Sequence, residues 1–195
     1  MPEIALRLTV RDLTEADLPS CGWAGSPKHV RELVHQLRRA EAGEVDYLAV
    51  CTPAGLPVAV GGVDYAPAPG AGTLWQLGVH PALRSCGIGT LLIRAAEQRI
   101  TARGLAVAEL GVEESNPRAR ALYERLGYRA FGRALDGWDV EDADGTLRRY
   151  ETVCTLMRRR LAVSPATAAP AKAVDQPART AAGPSGPSRR TSRRT

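Results

Sequence analysis

The sequence predicts an α/β or α+β layered domain, a mixed sheet with helices covering it, followed by a tail with no core of its own. Three observations predict it. Short apolar or alternating segments bounded by Gly and Pro recur as strands, and apolar residues at helical spacing lie between capped ends. From Ser164 onward the chain is rich in Pro, Ala, Ser, Gly and Arg, without aromatic residues or periodic apolar positions. Such a segment cannot bury enough surface to offset its ordering entropy. The domain is therefore placed at residues 1–163 and a disordered tail at 164–195.

Taken in order, "IALRLTVRDL" alternates as a half-buried strand does, and "TEADLPSCGWAGS" is a turn-rich region with room for a short helix. "SPKHVRELVHQLRRAEAG" opens with Ser26 and Pro27 as N-cap and first helical residue, then repeats Val30, Leu33, Val34 and Leu37. "YLAVCT" and "PVAVGGVDYA" flank Pro53-Ala54-Gly55-Leu56, a hairpin signal, and "GTLWQLGV" is a further strand. Ile88, Leu91, Leu92, Ala95, Ala96 and Ile100 mark the core face of a second helix, which Gly104 ends. "AVAELGVEES" is a strand, and "NPRARALYERLG" is a helix begun by Asn116-Pro117 and stopped at Gly127. "YRAFGRALDGW" and "TLRRYETVCTLMRR" close the domain as two strands around an acidic turn.

The 195 residues, 44% hydrophobic and 24% charged, have the composition of a globular protein. "MPEIALRLTVRD" has no basic start followed by an apolar run, so no signal peptide is expected, and no stretch approaches the ~18 apolar residues of a membrane span. A cytoplasmic location is expected, with the four scattered cysteines reduced and disulfides the alternative. The net charge of +5 resides in the segment from Ser164 to Thr195, with its six basic residues and one aspartate, which leaves residues 1–163 neutral on balance. Nucleic acid is accordingly not expected as a partner, beyond weak contact through the basic tail.

The stretch "LGVHPALRSCGIGTLL" carries the strongest chemical signal. A strand passes through Arg84, Ser85, Cys86, Gly87, Ile88, Gly89 and Thr90 into a helix. The first N–H groups of a helix lack partners and lie at the positive end of its dipole. Glycines let an anion reach that backbone, and Arg84 adds a cation. No lysine follows Gly89, which excludes a Walker loop, and Leu92 stands where a dinucleotide fingerprint needs its third glycine. The alternative is that Gly87 and Gly89 merely make a tight strand-to-helix connection.

These residues resemble the GNAT superfamily of acetyl-CoA-dependent N-acetyltransferases. Its cofactor motif, [QR]-x-x-G-x-[GA], reads here as Arg84-x-x-Gly87-x-Gly89 after "LGVHP". Its later motif, Asn followed by Ala-x-x-Leu-Tyr-Glu-x-x-Gly-[FY], reads as Asn116 followed by "ARALYERLGY". The resemblance spans roughly residues 4–160 in element order and is sharpest from Leu74 to Phe131. It implies a mostly antiparallel central sheet flanked by helices and acetyl-CoA as co-substrate, with no metal. It also implies a small-molecule or peptide amine as acceptor, in a monomer or homodimer. It further implies that the backbone of Leu77, Gly78 and Val79 binds the pantetheine arm as an added strand would. The N–H groups from Ser85 through Thr90, with Arg84, would hold the pyrophosphate. Asn116 would bond the cofactor or cap its helix, and Tyr123 would reach the cofactor sulfur.

Acetyl transfer needs a neutral amine, and an alkylamine of pKa ~10.4 carries a deficit of roughly 4–5 kcal/mol at pH 7. An acid for the departing thiolate and a base for the amine would both help. Tyr123 is the acid candidate. Glu109, Gly111 and Glu113 alternate onto one strand face; Glu109 or Glu113 is the candidate base, with a solvated strand end the favoured reading of Glu113. Some relatives, including ribosomal-protein N-terminal acetyltransferases, carry a glutamate twelve residues before the motif tyrosine. That position is Gly111 here, a departure that counts against that substrate class. Trp23, Trp75 and Trp138 are candidates for lining an acceptor pocket, with core packing the alternative. "VEDADGTLRRYE" approaches a calcium loop but has Val140 at the first ligand position, so an acidic hairpin turn is expected. Two functional readings follow: an enzyme acetylating a primary amine, and a CoA-binding regulatory module that keeps Arg84, Gly87 and Gly89 without turnover.

Overall fold

The computed structural model describes residues 5–142 and 144–162; the expected tail, 164–195, lies outside the described residues. Its strands are β1 (Thr9–Asp12), β2 (Val45–Cys51), β3 (Pro57–Asp64), β4 (Gly72–Val79), β5 (Val107–Glu113), β6 (Arg129–Glu141) and β7 (Leu147–Arg160). Among the described residues they form one sheet in the order β1-β2-β3-β4-β5-β7-β6. Every neighbouring pair is antiparallel except β4 and β5. The mixed, mostly antiparallel sheet expected from the sequence is therefore present.

Helices α1 (Pro27–Glu41), α2 (Ile88–Ala102) and α3 (Pro117–Arg125) cover it. Helix α1 packs on one face, where Leu33 and Leu37 meet Tyr47, Ala49, Cys51 and Val60. Helices α2 and α3 pack on the other, where Leu92, Ile93, Ala96 and Ile100 meet Leu48, Val50, Val63 and Leu110. Ser26 caps α1 through the N–H of His29, at 3.3 Å, and Asn116 caps α3 through that of Ala119, at 3.1 Å. Gly104 and Gly127 end α2 and α3 at φ +77° and +92°, a left-handed conformation that costs other residues roughly 1–2 kcal/mol.

The turn-rich region holds two short 3-10 helices, Glu15–Ser20 and Gly22–Ala24, within the room expected for a short helix. Two sequence expectations are corrected. The first strand is four residues long, because its ladder to β2 runs only from Thr9 to Asp12. On α2 the buried stripe is Ile88, Leu92, Ile93, Ala96, Glu97 and Ile100, while Leu91 is 37% exposed. Glu97 is inside because Tyr128 donates to it at 3.1 Å and Arg159 at 2.9 Å, so its charge is paired where it is buried.

A second buried carboxylate, Asp17, lies in the first 3-10 helix. Arg11 grips it with two bonds of 2.6 and 2.7 Å, and Thr14 donates both its N–H and its hydroxyl. The Arg11 guanidinium, with Thr14, holds this carboxyl well below the usual range. A depressed folded value gives stability that is present above the unfolded value of ~3.9 and is lost as pH falls below it. Asp17→Asn should lower stability at pH 7 by on the order of 2 kcal/mol and flatten the decline in melting temperature below pH 4. Thermal melts from pH 7 to 3 check both; an unchanged acid limb would show that other carboxylates set it.

The sheet opens where β4 meets β5. Their parallel ladder joins only Gly72, Thr73 and Leu74 to Ala108, Glu109 and Leu110, although both strands continue. Just beyond, Gln76 adopts φ +52° and the register with β3 shifts between Val60 and Gly62. This bulge turns β4 away from β5, and Gln76 is held there by the Tyr47 hydroxyl at 3.0 Å. Gly62 permits the bend, since a Cβ there would stand 2.3 Å from the Trp75 ring. No helix among the described residues is long and apolar enough to cross a membrane.

Candidate active site

Two cavities meet at the opening between β4 and β5, and both are lined by Leu77, Gly78, Asn116 and Ala119. The first is a cleft of ≈ 500 Å³ between the end of β4 and the starts of α2 and α3. It gathers Leu77, Gly78, Val79, Arg84, Ser85, Gly87, Gly89, Thr90 and Asn116, nine of the residues expected to bind cofactor. Cys86 and Ile88 are not in its lining: the thiol of Cys86 is exposed and Ile88 is buried in the core. They can contribute only backbone.

The loop before α2 is shaped to leave that backbone bare. Ser85 and Gly87 take φ +68° and +81°, on either side of Cys86, an arrangement that bends consecutive peptides into a concavity. The first backbone bond of α2 runs from the Leu91 N–H to the Gly87 carbonyl. Among the described residues, none of the N–H groups of Ser85, Cys86, Gly87, Ile88, Gly89 and Thr90 has a protein acceptor. Arg84 reaches back to the Val79 carbonyl at 3.4 Å. Arg118, bonded to the Ser85 hydroxyl, and Arg125 add two cations to the lining, and no carboxylate lines it.

Sequence reasoning missed these two arginines. Their signal was present, because Arg118, Leu122 and Arg125 share one face of α3 at i, i+4 and i+7. Leu122 confirms the direction of that face: its methyl would lie 3.5 Å from a Cβ at Gly89.

The second cavity, of ≈ 580 Å³, lies between α1, β5, α3 and the β6–β7 hairpin. Tyr123 lines it, 8% exposed and stacked edge-on to Tyr128 with ring centroids 6.0 Å apart. Its hydroxyl has no hydrogen-bond partner among the described residues. Burial pushes the phenol up to about 12, so it keeps its proton throughout the neutral range. Glu113 lines the same cavity, and its carboxylate accepts from the Tyr150 hydroxyl at 2.7 Å. His29, also in the lining, is held below its ordinary value by burial and is neutral at pH 7.

Glu109 is not brought to Tyr123. It lines a separate cleft with Pro69, Arg129, Arg158 and Arg160. It shares a strand face with Glu113, but four residues of β5 separate them by roughly 13 Å, and Glu109 lies within the closed β4–β5 ladder opposite Thr73, away from the opening. Gly111, between them, faces the second cavity, where a Cβ would lie 3.5 Å from that of Cys154. Trp75 and Trp138 line this cavity as well. Trp23 does not: it packs edge-on to His80, with ring centroids 5.5 Å apart. The acidic segment with Val140 forms the end of β6 and the turn into β7.

A family model described as "Acetyltransferase (GNAT) family" matches residues 10–128. Among solved structures, a phosphinothricin acetyltransferase of the GNAT superfamily from Sinorhizobium meliloti, in complex with AcCoA, is 20% identical. The match covers 85% of this chain and 94% of that one with a TM-score of 0.62. The ribosomal-protein-S18-alanine N-acetyltransferase from Escherichia coli is 19% identical, covering 81% and 96% with a TM-score of 0.60. The Paia N-acetyltransferase from Thermoplasma acidophilum, in complex with coenzyme A, is 14% identical, covering 79% and 99% with a TM-score of 0.60. At these identities the likeness is one of fold.

Proposed function

The chain belongs to the GNAT acetyltransferase family, and on that premise we propose that it is an N-acetyltransferase moving acetyl from acetyl-CoA directly to a primary amine. The observation that carries this reading is the junction of two unlike cavities at the β4–β5 opening. One offers six free N–H groups and three arginines. The other presents a buried, protonated phenol with no partner.

The first cleft fits the cofactor. Arg84, Arg118 and Arg125 with the N–H groups from Ser85 to Thr90 would hold a pyrophosphate. The edge of β4 from Leu77 to Val79, left without a ladder toward β5, would take the pantetheine amides as an added strand. Acetyl-CoA, when bound, supplies an acyl group already activated as a thioester. Asn116, whose side-chain oxygen is engaged in capping α3, stands at the junction of both cavities and orients what passes between them.

Tyr123 holds a proton at its Oη and is the donor for a departing thiol. A free N–H at the edge of β4 would polarise the acyl carbonyl. Glu113 replaces Glu109 as the base for the incoming ammonium, directly or through water, because it shares the cavity with Tyr123. Gly111 removes the glutamate that a ribosomal-protein acetyltransferase would place there, so the proposed acceptor is a small molecule or another peptide amine.

Thiol release from acetyl-CoA across a panel of amines, with the acetylated product identified by mass, tests the proposal. Amine-dependent release supports it. Tight CoA binding without release from any amine would overturn it in favour of a binding module.

A further inference from the structure

Resting on the reading above, we infer that the acceptor is a small amine carrying at least one further positive charge. The two cavities that meet at the opening are sorted by charge. The cofactor cleft is lined by three arginines and no carboxylate. The second cavity is lined by Glu32, Glu113 and Asp139, and no lysine or arginine lines it among the described residues. These carboxylates come from α1, β5 and β6, so the tertiary fold gathers them; they are not one solvated run of charge.

The cavity is aromatic as well as acidic. Trp75 and Trp138 contribute rings, and Trp138 lies against Tyr150 with ring centroids 4.9 Å apart. The Tyr150 hydroxyl donates to Glu113 at 2.7 Å, which fixes that carboxylate without cancelling its charge. Glu32 is bonded to Lys28 on the same helix and Asp139 faces Arg149 at 3.5 Å, but neither cation lines the cavity. Carboxylates set among aromatic faces suit an alkylammonium, which gains charge pairing and attraction to the ring quadrupole together. The same lining repels an anionic or zwitterionic amine.

An independent feature marks the cavity as a ligand site. Tyr123, 8% exposed, lines it, and its hydroxyl has no hydrogen-bond partner among the described residues. A volume of ≈ 580 Å³ accommodates a small amine. The acceptor nitrogen therefore lies toward Tyr123 and Glu113, and its second charge toward Asp139 and Glu32.

The test separates charge preference from turnover. Equilibrium dialysis of the full chain, saturated with CoA, compares 1,4-diaminobutane, n-butylamine and 4-aminobutanoate, three amines of equal chain length. The diamine should bind about fivefold or more tightly than butylamine, and the amino acid most weakly. Asp139→Asn and Glu32→Gln should each reduce the diamine's advantage, and Asp139→Lys should shift preference toward 4-aminobutanoate. Both residues are half-exposed, so these variants should melt as the wild type does. Equal binding of all three amines, no binding of the diamine at millimolar concentration, or a preference unmoved by Asp139→Lys would overturn the inference. If the ranking holds while no amine releases thiol, acetyl transfer falls and the charge assignment stands. If amines are acetylated without regard to charge, acetyl transfer stands and this inference falls.

Discussion

Gly89→Glu should abolish tight acetyl-CoA binding while leaving the protein folded. The backbone at Gly89 does not need glycine. A Cβ there would make ordinary contacts of 3.5 Å with Leu122 and 3.7 Å with Val79, and φ is not positive. A glutamate in the first turn of α2 even favours the helix, because it opposes the positive end of the dipole. Binding is another matter. The new carboxylate enters a cleft of cations and free N–H groups, where, with a pyrophosphate bound as proposed, like charge and bulk both act against the ligand. A loss of at least ~3 kcal/mol, or about a hundredfold in Kd, is expected. Calorimetry on the variant, with Gly89→Ala as a control that should bind within a few-fold of wild type, measures it. Unchanged affinity in a folded Gly89→Glu protein would show that phosphate lies elsewhere.

The second large effect is on chemistry. Tyr123→Phe keeps the ring against Tyr128 and deletes only the hydroxyl. Because that hydroxyl has no protein partner among the described residues, its removal orphans nothing, and melting temperature and acetyl-CoA affinity should hold. The chemical step should slow about 10²-fold, the lower end of what a general acid provides. A thiol of pKa ~8.5 leaves partly unaided, so a slowed enzyme is expected and not a dead one. Since burial pushes the phenol up to about 12, the acid form is lost only as pH rises through that value. Any rise in wild-type rate between pH 6 and 9 then does not report Tyr123, and the variant should retain it. Single-turnover kinetics with a confirmed acceptor decide the case. Wild-type chemistry in the variant would make Tyr123 a core residue.

The lining of the first cleft was legible because its parts are neighbours in the chain. Arg84 through Thr90 form one strand-to-helix loop, and backbone N–H groups at a helix start are exposed by the geometry of any helix. Asn116 and Tyr123 were likewise readable, since capping and helical spacing are local properties. Arg118 and Arg125 lay on a readable face of α3, but nothing in the sequence said which neighbour that face meets.

Where local periodicity met tertiary packing, packing decided. Leu91 is apolar and on the expected stripe, yet the packing of α2 on the sheet leaves it 37% exposed and buries Glu97. Burying Glu97 requires Arg159, sixty-two positions away, at 2.9 Å. Glu109 and Glu113 are equivalent by strand alternation, and only the end of the β4–β5 ladder at Leu74 separates Glu109, inside the closed ladder, from Glu113, beside the opening.

The sequence by itself determined the order of strands and helices, the bare loop from Arg84 to Thr90 and the helical position of Tyr123, because each depends on residues within a turn or two. The tertiary structure alone decided which carboxylate joins Tyr123, and that Glu32, Glu113 and Asp139 surround one cavity. Those residues lie on three elements far apart in the chain, and chain folding brings them together by pairing β7 with β5 and β6 and returning the β6–β7 hairpin across α1. Spacing in sequence carries no record of such meetings, since side-chain direction is local and proximity is not.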